Sequence, residues 1–185
     1  MTLVCSLDTE TTGFCEPDHR LVEVYIDVLN TATGKVMFSY DQRINPKRNM
    51  PAEAQRVHGI ASTDLMNKPD WEEIGPKVHQ VLSKIPIRVA HNAEFDQSFL
   101  NMEFKRIGLA PLTDPFFCTM EHGIWATPNG KKPSLLELCF ACDVSYDPAL
   151  AHAASYDVQR MNDCLLKGIA WGFYTLPALV KAVAA

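Results

Sequence analysis

Residues 21–30, "LVEVYIDVLN", alternate with a period of two. Val22, Val24, Ile26 and Val28 fall on one side; Glu23, Tyr25 and Asp27 fall on the other. A helix repeats every 3.6 residues and would scatter these side chains around its axis, so the stretch reads as a β-strand. "NTATGK" supplies a turn, and "KVMFSYDQRI" reads as the returning strand. Upstream, "TLVCSLD" is short, apolar and rich in strand-formers. The chain therefore opens with three antiparallel strands joined by short connections.

The pattern then changes. Pro51 suits a helix start and Gly59 its end. Ile74, Val78, Val81, Leu82 and Ile85 recur at helical spacing, and Pro76 is expected to mark the first turn of that helix. "IRVAHN" reads as a short buried strand. "EFDQSFLNMEFKRIGL" reads as a helix with Phe95, Phe99, Met102 and Ile107 facing inward, and "PFFCTM" as a further strand. Helices are expected at "SLLELCFACDV", around "ASYDVQRMNDCLLKGIAWG", and as a short apolar packing segment in "TLPALVKAVAA". The order β-β-β-α-β-α-β-α-α specifies an α/β fold with a mixed five-stranded sheet flanked by helices. With no repeat or long linker, residues 1–185 are expected to form a single domain.

Composition narrows the class. A net charge of −5 argues against a general nucleic-acid coat protein, but not against an enzyme that grips nucleic acid locally. No apolar run is long enough to span a bilayer, and the N-terminus lacks signal-peptide features. The expectation is a cytoplasmic protein without membrane contact. Cys5, Cys15, Cys118, Cys139, Cys142 and Cys164 mostly sit in apolar surroundings, as buried reduced thiols do. Cys139 and Cys142 form a C-x-x-C inside a helical stretch with no second pair to complete a zinc site.

The first strand ends in "SLDTETTGF". Residues i and i+2 of a strand share a face, so Asp8 and Glu10 project together. Two carboxylates about 4 Å apart repel by about 4 kcal/mol at an effective dielectric of 20. A fold tolerates this if a cation lies between them or one takes up a proton. A solvated turn with two acids remains the plainer alternative at this point. Asp96 lies one turn into the helix after "VAHN", at a strand end where α/β sites gather, though an acid there also suits the helix dipole. His152 and Asp157 are five apart, roughly 140° around a helix, and converge only if His152 lies in the loop before the helix.

Together these pieces resemble the DEDDh family of 3′→5′ exonucleases, whose best-known member type is the proofreading subunit of bacterial DNA polymerase III. The matching residues are "DTETTG", "RVHGI", "HNAEFDQSFL" and the H-x4-D of "HAASYD", spread from about Leu3 to Leu166. The resemblance implies a ribonuclease H-like fold and two bound Mg²⁺ or Mn²⁺ ions. It implies Asp8, Glu10, Asp96 and Asp157 as metal ligands and His152 as general base, these five forming the catalytic set. All-oxygen ligation suits such hard ions. The implied reaction is hydrolysis from the 3′ end of DNA, at single strands or frayed ends, to nucleoside 5′-monophosphates. It also implies that the segment after Glu10 lies along the terminal nucleotide. The backbone N–H groups of Thr11 and Thr12 would meet the 3′ end, Gly13 would permit close approach, and Phe14 would act as an apolar wedge. His58 would border the same pocket and Asn92 would order it from behind. Phe95 either packs on the sugar or base or belongs to the core. Lys47, Arg48, Lys131 and Lys132 are candidate phosphate contacts, with a solvated loop as the default reading.

The expected partners are nucleic-acid 3′ ends, DNA before RNA, with a polymerase as a further candidate. The alternatives are an RNA-directed exonuclease of the same fold, a non-catalytic binding or polymerase-associated module, and a ribonuclease H-type endonuclease or integrase. The short tail after the last helix favours a free-standing enzyme, a truncated form or a short phage or bacterial relative. If an imidazole is the base, activity should fall below about pH 6.5, and a flat rate profile down to about pH 5 would remove His152 from that role.

Overall fold

The computed structural model describes residues 2–14 and 18–177. Five strands form one mixed sheet: β1 (Leu3–Thr11), β2 (Leu21–Asn30), β3 (Lys35–Arg43), β4 (Arg88–Ala90) and β5 (Phe117–Cys118). Their order is β3-β2-β1-β4-β5. The β1–β2 and β2–β3 pairs are antiparallel, while β4 runs parallel to both β1 and β5. The helices are α1 (Ala52–His58), α2 (Ser62–Leu65), α3 (Trp71–Lys84), α4 (Ala93–Arg106), α5 (Leu135–Ala141) and α6 (Ala154–Ala170). This is the mixed five-stranded, helix-flanked sheet expected of a ribonuclease H-like fold.

Two cores sandwich the sheet. On one face, Leu7, Val24 and Ile26 pack under α3 and α4 with Trp71, Val78, Phe99 and Phe104. On the other, Val4, Tyr25 and Leu29 pack under α5 and α6 with Leu138, Val158, Met161 and Leu165. The period-two pattern of β2 is therefore real, but its polar side is not solvated: all ten residues are buried. Because α6 covers that side, Asp27 needs partners in place of water. It accepts hydrogen bonds from Ser39 Oγ at 2.6 Å and Asn162 Nδ2 at 3.1 Å, tying β2 to β3 and α6. The edge strand β3 is mostly exposed by contrast.

Local signals explain the helix ends. Gly59 ends α1 at φ 73°, a left-handed conformation that glycine adopts without strain. Ser134 and Glu137 form a reciprocal capping box at the start of α5. The start of α3 differs from the Pro76 expectation. Asp70 caps the helix through the Glu73 N–H at 3.1 Å, so it begins at Trp71 and Pro76 lies inside it. The side-chain cap outweighs the proline signal, and burial of Trp71 against Phe104 anchors the first turn (ring centroids 5.4 Å apart). The strand expected in "PFFCTM" is only two residues long. The five described cysteines are free and buried, with Cys164 Sγ 3.6 Å from Cys139 Sγ inside the α5–α6 core. Cys15 and most of the expected C-terminal helix lie outside the described residues. Among those described, no helix is long and apolar enough to cross a membrane.

Phe104 is fully buried between Trp71 and an edge-on His79 ring at 4.8 Å. Phe104→Ala should cost about 3–5 kcal/mol. The loss should appear in urea unfolding as a lower midpoint with an unchanged slope.

Candidate active site

The carboxylates gather where the C-terminal end of β1 meets the first turns of α4 and α6. Asp8 and Glu10 share the β1 face that α6 covers, as their cross-strand partners Tyr25 and Glu23 do. Thr9, between them, points to the opposite face, where its hydroxyl donates to Asp96 Oδ1 at 2.8 Å. Asp96 is thus held by the residue that separates the two other acids. Asp157 sits in the first turn of α6, and its Oδ2 accepts the backbone N–H of His152 at 2.9 Å. That bond requires His152 in the loop before α6, and the residue takes φ 62° there, with an exposed side chain.

Burial shifts every one of these acids upward, and like charge adds to the shift at Asp8 and Glu10. Asp8 is raised well above the usual carboxylate range by burial, then by Asp96, Glu10, Asp157 and Glu23. Glu10 is pushed to about 9 by burial, then by Glu23, Asp157 and Asp96. Burial raises Asp96 to about 7 against the pull of the Thr9 hydroxyl. Asp157 is raised by burial, opposed by the bonds from His152 and Tyr146. Among the described residues, no three His, Cys, Asp or Glu side chains stand as a closed ligand set. The four acids are instead crowded by like charge, and their all-oxygen chemistry fits a hard divalent cation that would relieve the crowding.

A cleft of about 450 Å³ opens beside the acids, lined by Glu23, Arg43, His58, Lys68 and His152 among others. His58 Nδ1 accepts the Ile60 N–H at 3.0 Å, which leaves Nε2 as the donor to Thr11 O at 3.2 Å. Burial lowers the His58 pKa, with His152 and Arg43 adding to the effect. The sequence reading missed Glu23 and Arg43, which pair across the cleft floor at 3.1 Å. Glu23 stands directly opposite Glu10, a register that no local pattern announces.

The segment after Glu10 departs from expectation in part. Thr12 is buried, its N–H donates to Arg20 O at 2.9 Å, and its hydroxyl accepts the Arg20 N–H at 3.0 Å. This corrects its assignment as a substrate donor, because the turn itself uses those groups. Thr11 turns its hydroxyl onto Gly13 O at 2.5 Å. Gly13 has φ 154°, and a Cβ there would lie 2.3 Å from His19 Cε1. The close approach that requires glycine is thus made by His19. Phe14 projects into solvent at 82% exposure, free to meet a ligand. Phe95 packs against Phe99 with ring centroids 4.9 Å apart, on the core side of the choice left open. Asn92 takes φ 71° to turn β4 into α4, and its side chain makes no cap bond.

A clamp that the sequence reading did not foresee holds this segment down. Glu103 of α4 is fully buried, and its Oε1 accepts Arg20 Nε at 2.7 Å, Arg106 Nη1 at 2.8 Å and Leu21 N at 3.3 Å. The candidate phosphate contacts are all engaged: Lys47 with Asp70 at 2.5 Å, Lys131 with Glu137 at 2.6 Å, Lys132 with Glu121, and Arg48 with the Asp18 carbonyl. Exposed ion pairs of this kind contribute little and exchange readily.

With the geometry in view, comparison with known proteins places the chain. The exonuclease family RNase_T matches residues 5–163, and the chain belongs to that family. It is 29% identical over 170 residues to DNA polymerase III subunit epsilon of Escherichia coli, covering 86% of this chain and 68% of that protein. It is 27% identical over 158 residues to the PolC-type DNA polymerase III of Halalkalibacterium halodurans, covering 85% of this chain but only 11% of that protein. A solved structure of Exonuclease X in complex with 5′ overhanging duplex DNA shares the fold, with a TM-score of 0.69, 24% identity, and coverage of 93% of this chain and 94% of that one.

The raised carboxylates set a pH dependence for the cation-free protein. Folded values of about 9 for Glu10 and about 7 for Asp96 exceed the ordinary 4.5 and 3.8, so the folded state binds more protons than the unfolded one. The stability contributed by that protonation is complete below the ordinary values and is lost as pH rises through the folded ones. In EDTA, the thermal midpoint should therefore fall between about pH 5 and pH 9, and added Mg²⁺ should restore it mainly at the upper end.

Proposed function

We propose that the described residues act as one exonuclease domain that shortens DNA from its 3′ end, at single strands or frayed ends. The observation that carries this reading is the convergence of Asp8, Glu10, Asp96 and Asp157 on one strand end beside a loop histidine. In this reading Asp8, Glu10 and Asp157 hold one Mg²⁺ or Mn²⁺ ion, and Asp8 holds a second with Asp96. When bound, such a pair supplies an activated water and neutralises the leaving oxygen.

The chain's own residues do the rest. Exposed on a loop tied to Asp157, His152 takes the proton of the attacking water. The water oxygen bonds to the terminal phosphorus and the P–O3′ bond breaks. A nucleoside 5′-monophosphate leaves with the old 3′ hydroxyl, and the freed O3′ of the shortened strand takes a proton from solvent to become the new 3′ hydroxyl. Thr9 keeps Asp96 facing the acids through its hydroxyl. His58 holds the Thr11 carbonyl and so shapes the wall of the cleft. Phe14 stacks on or separates the last bases, and aromatic stacking of this kind tolerates any sequence. The polymerase names of the relatives support a polymerase as partner.

The test uses 5′-labelled single-stranded DNA and its RNA counterpart, each with Mg²⁺ or EDTA. The expected result is a Mg²⁺-dependent ladder shrinking from the 3′ end, faster on DNA and absent for Asp8→Ala. His152→Ala should lose about 10²–10⁴-fold in rate. A faster RNA ladder would assign the domain to RNA, and cleavage of a circular substrate would replace the exonuclease reading with an endonuclease one.

A further inference from the structure

The loop that carries His152 and the helix that carries Asp157 are joined by two tyrosines that bond in opposite senses. Tyr146, in the loop, donates its hydroxyl to Asp157 Oδ1 at 3.2 Å. Tyr156, in α6 and next to Asp157, accepts the loop's Asp147 N–H on its own hydroxyl at 2.5 Å. The two rings lie against each other, with centroids 5.4 Å apart and planes at 57°. Arg160, one turn further along α6, covers the Tyr156 ring at 5.4 Å and donates to Ser145 O at 3.4 Å. The loop is thus fastened to the helix on both sides of Tyr146. Asp147 also caps the next turn of the loop through the Ala149 N–H at 3.0 Å, and that turn leads directly to His152.

We propose that Tyr146 is a positioning residue for Asp157, and that with Tyr156 it forms a reciprocal staple setting His152 against the carboxylate cluster. The proposal rests on the exonuclease reading above. Asp157 has one donor on each oxygen: the His152 N–H on Oδ2 and the Tyr146 hydroxyl on Oδ1. Two donors on opposite oxygens stop the carboxylate from rotating, while each oxygen keeps a lone pair for a cation. With the backbone bond alone, the carboxylate turns about its last side-chain bond and its aim is lost. Phenol suits the task because its ring moves on two torsions and is partly buried here, so ordering it costs little. Groups that orient a ligating carboxylate are typically worth 10–100-fold in cation affinity or activity. The two tyrosines have separable effects: Tyr146 acts on Asp157 directly, whereas Tyr156 acts on the loop and so on His152.

The experiment compares wild type, Y146F, Y156F and the double variant. It measures Mn²⁺ binding by calorimetry, kcat and KM on single-stranded DNA, and the thermal midpoint in EDTA. Phenylalanine keeps the ring packing, so the midpoints should stay close to wild type. Y146F should bind Mn²⁺ about 10-fold more weakly and lose about 10-fold in kcat with KM little changed. Y156F should lose kcat while binding Mn²⁺ nearly as wild type does. Wild-type binding and kcat in Y146F would overturn the proposal while leaving the exonuclease reading intact. So would a loss of binding that appears only together with a collapse of the unfolding transition. A wild type that neither binds Mn²⁺ nor degrades DNA would overturn the exonuclease reading itself, and the staple with it.

Discussion

The strict alternation of side chains along β1, the central strand, is the constraint on which the site depends. Successive residues meet opposite helical layers, so four consecutive positions do two different jobs. Leu7 and Thr9 face α3 and α4, and Asp8 and Glu10 face α6. A shift of one residue would bury the acids under the larger apolar core and send Leu7 to the cleft. Antiparallel pairing with β2 and parallel pairing with β4 resist such a shift from both sides. The parallel pair also sets the reach of α4, because the chain leaves β4 beside the end of β1 and turns through Asn92 into the helix that carries Asp96.

Crowding four acids at one strand end opposes folding unless protons or cations relieve it. The surrounding structure answers with donors that fix two of the carboxyls without neutralising them: the Thr9 hydroxyl on Asp96, and the His152 N–H and Tyr146 hydroxyl on Asp157. Positive charge is kept one step away. Arg43 pairs with Glu23, and Arg20 and Arg106 with the buried Glu103. That second arrangement ties Arg20 and Leu21, at the start of β2, to α4.

Much of this was legible from local pattern. The three opening strands, the helix ends at Gly59 and Ser134, and the loop position of His152 all follow from periodicity, capping chemistry or the geometry of a five-residue separation. What was misread has specific causes. Alternation along β2 reports two faces but not what covers them, so the burial of its polar side under α6 was not legible. Pro76 looked like a helix start because its backbone rule is strong, yet the Asp70 cap and the burial of Trp71 extend the helix upstream. Thr12 looked available to a ligand, but its groups close the turn onto Arg20, which lies eight residues away.

By itself the sequence determined which residues can share a strand face or a helix turn. It therefore determined that Asp8 and Glu10 share a strand face, and that His152 can meet Asp157 only from the loop before the helix. These relations depend on bonds a few residues apart, and short-range geometry is the same in any context. Only the tertiary structure decided that Glu23 stands opposite Glu10, that Thr9 holds Asp96 across 87 positions of chain, that Glu103 gathers Arg20 and Arg106, and that Tyr146 reaches Asp157. Those contacts are set by strand register and helix docking. Both are fixed by burying two apolar faces at once, a sum over the whole chain that no single stretch contains.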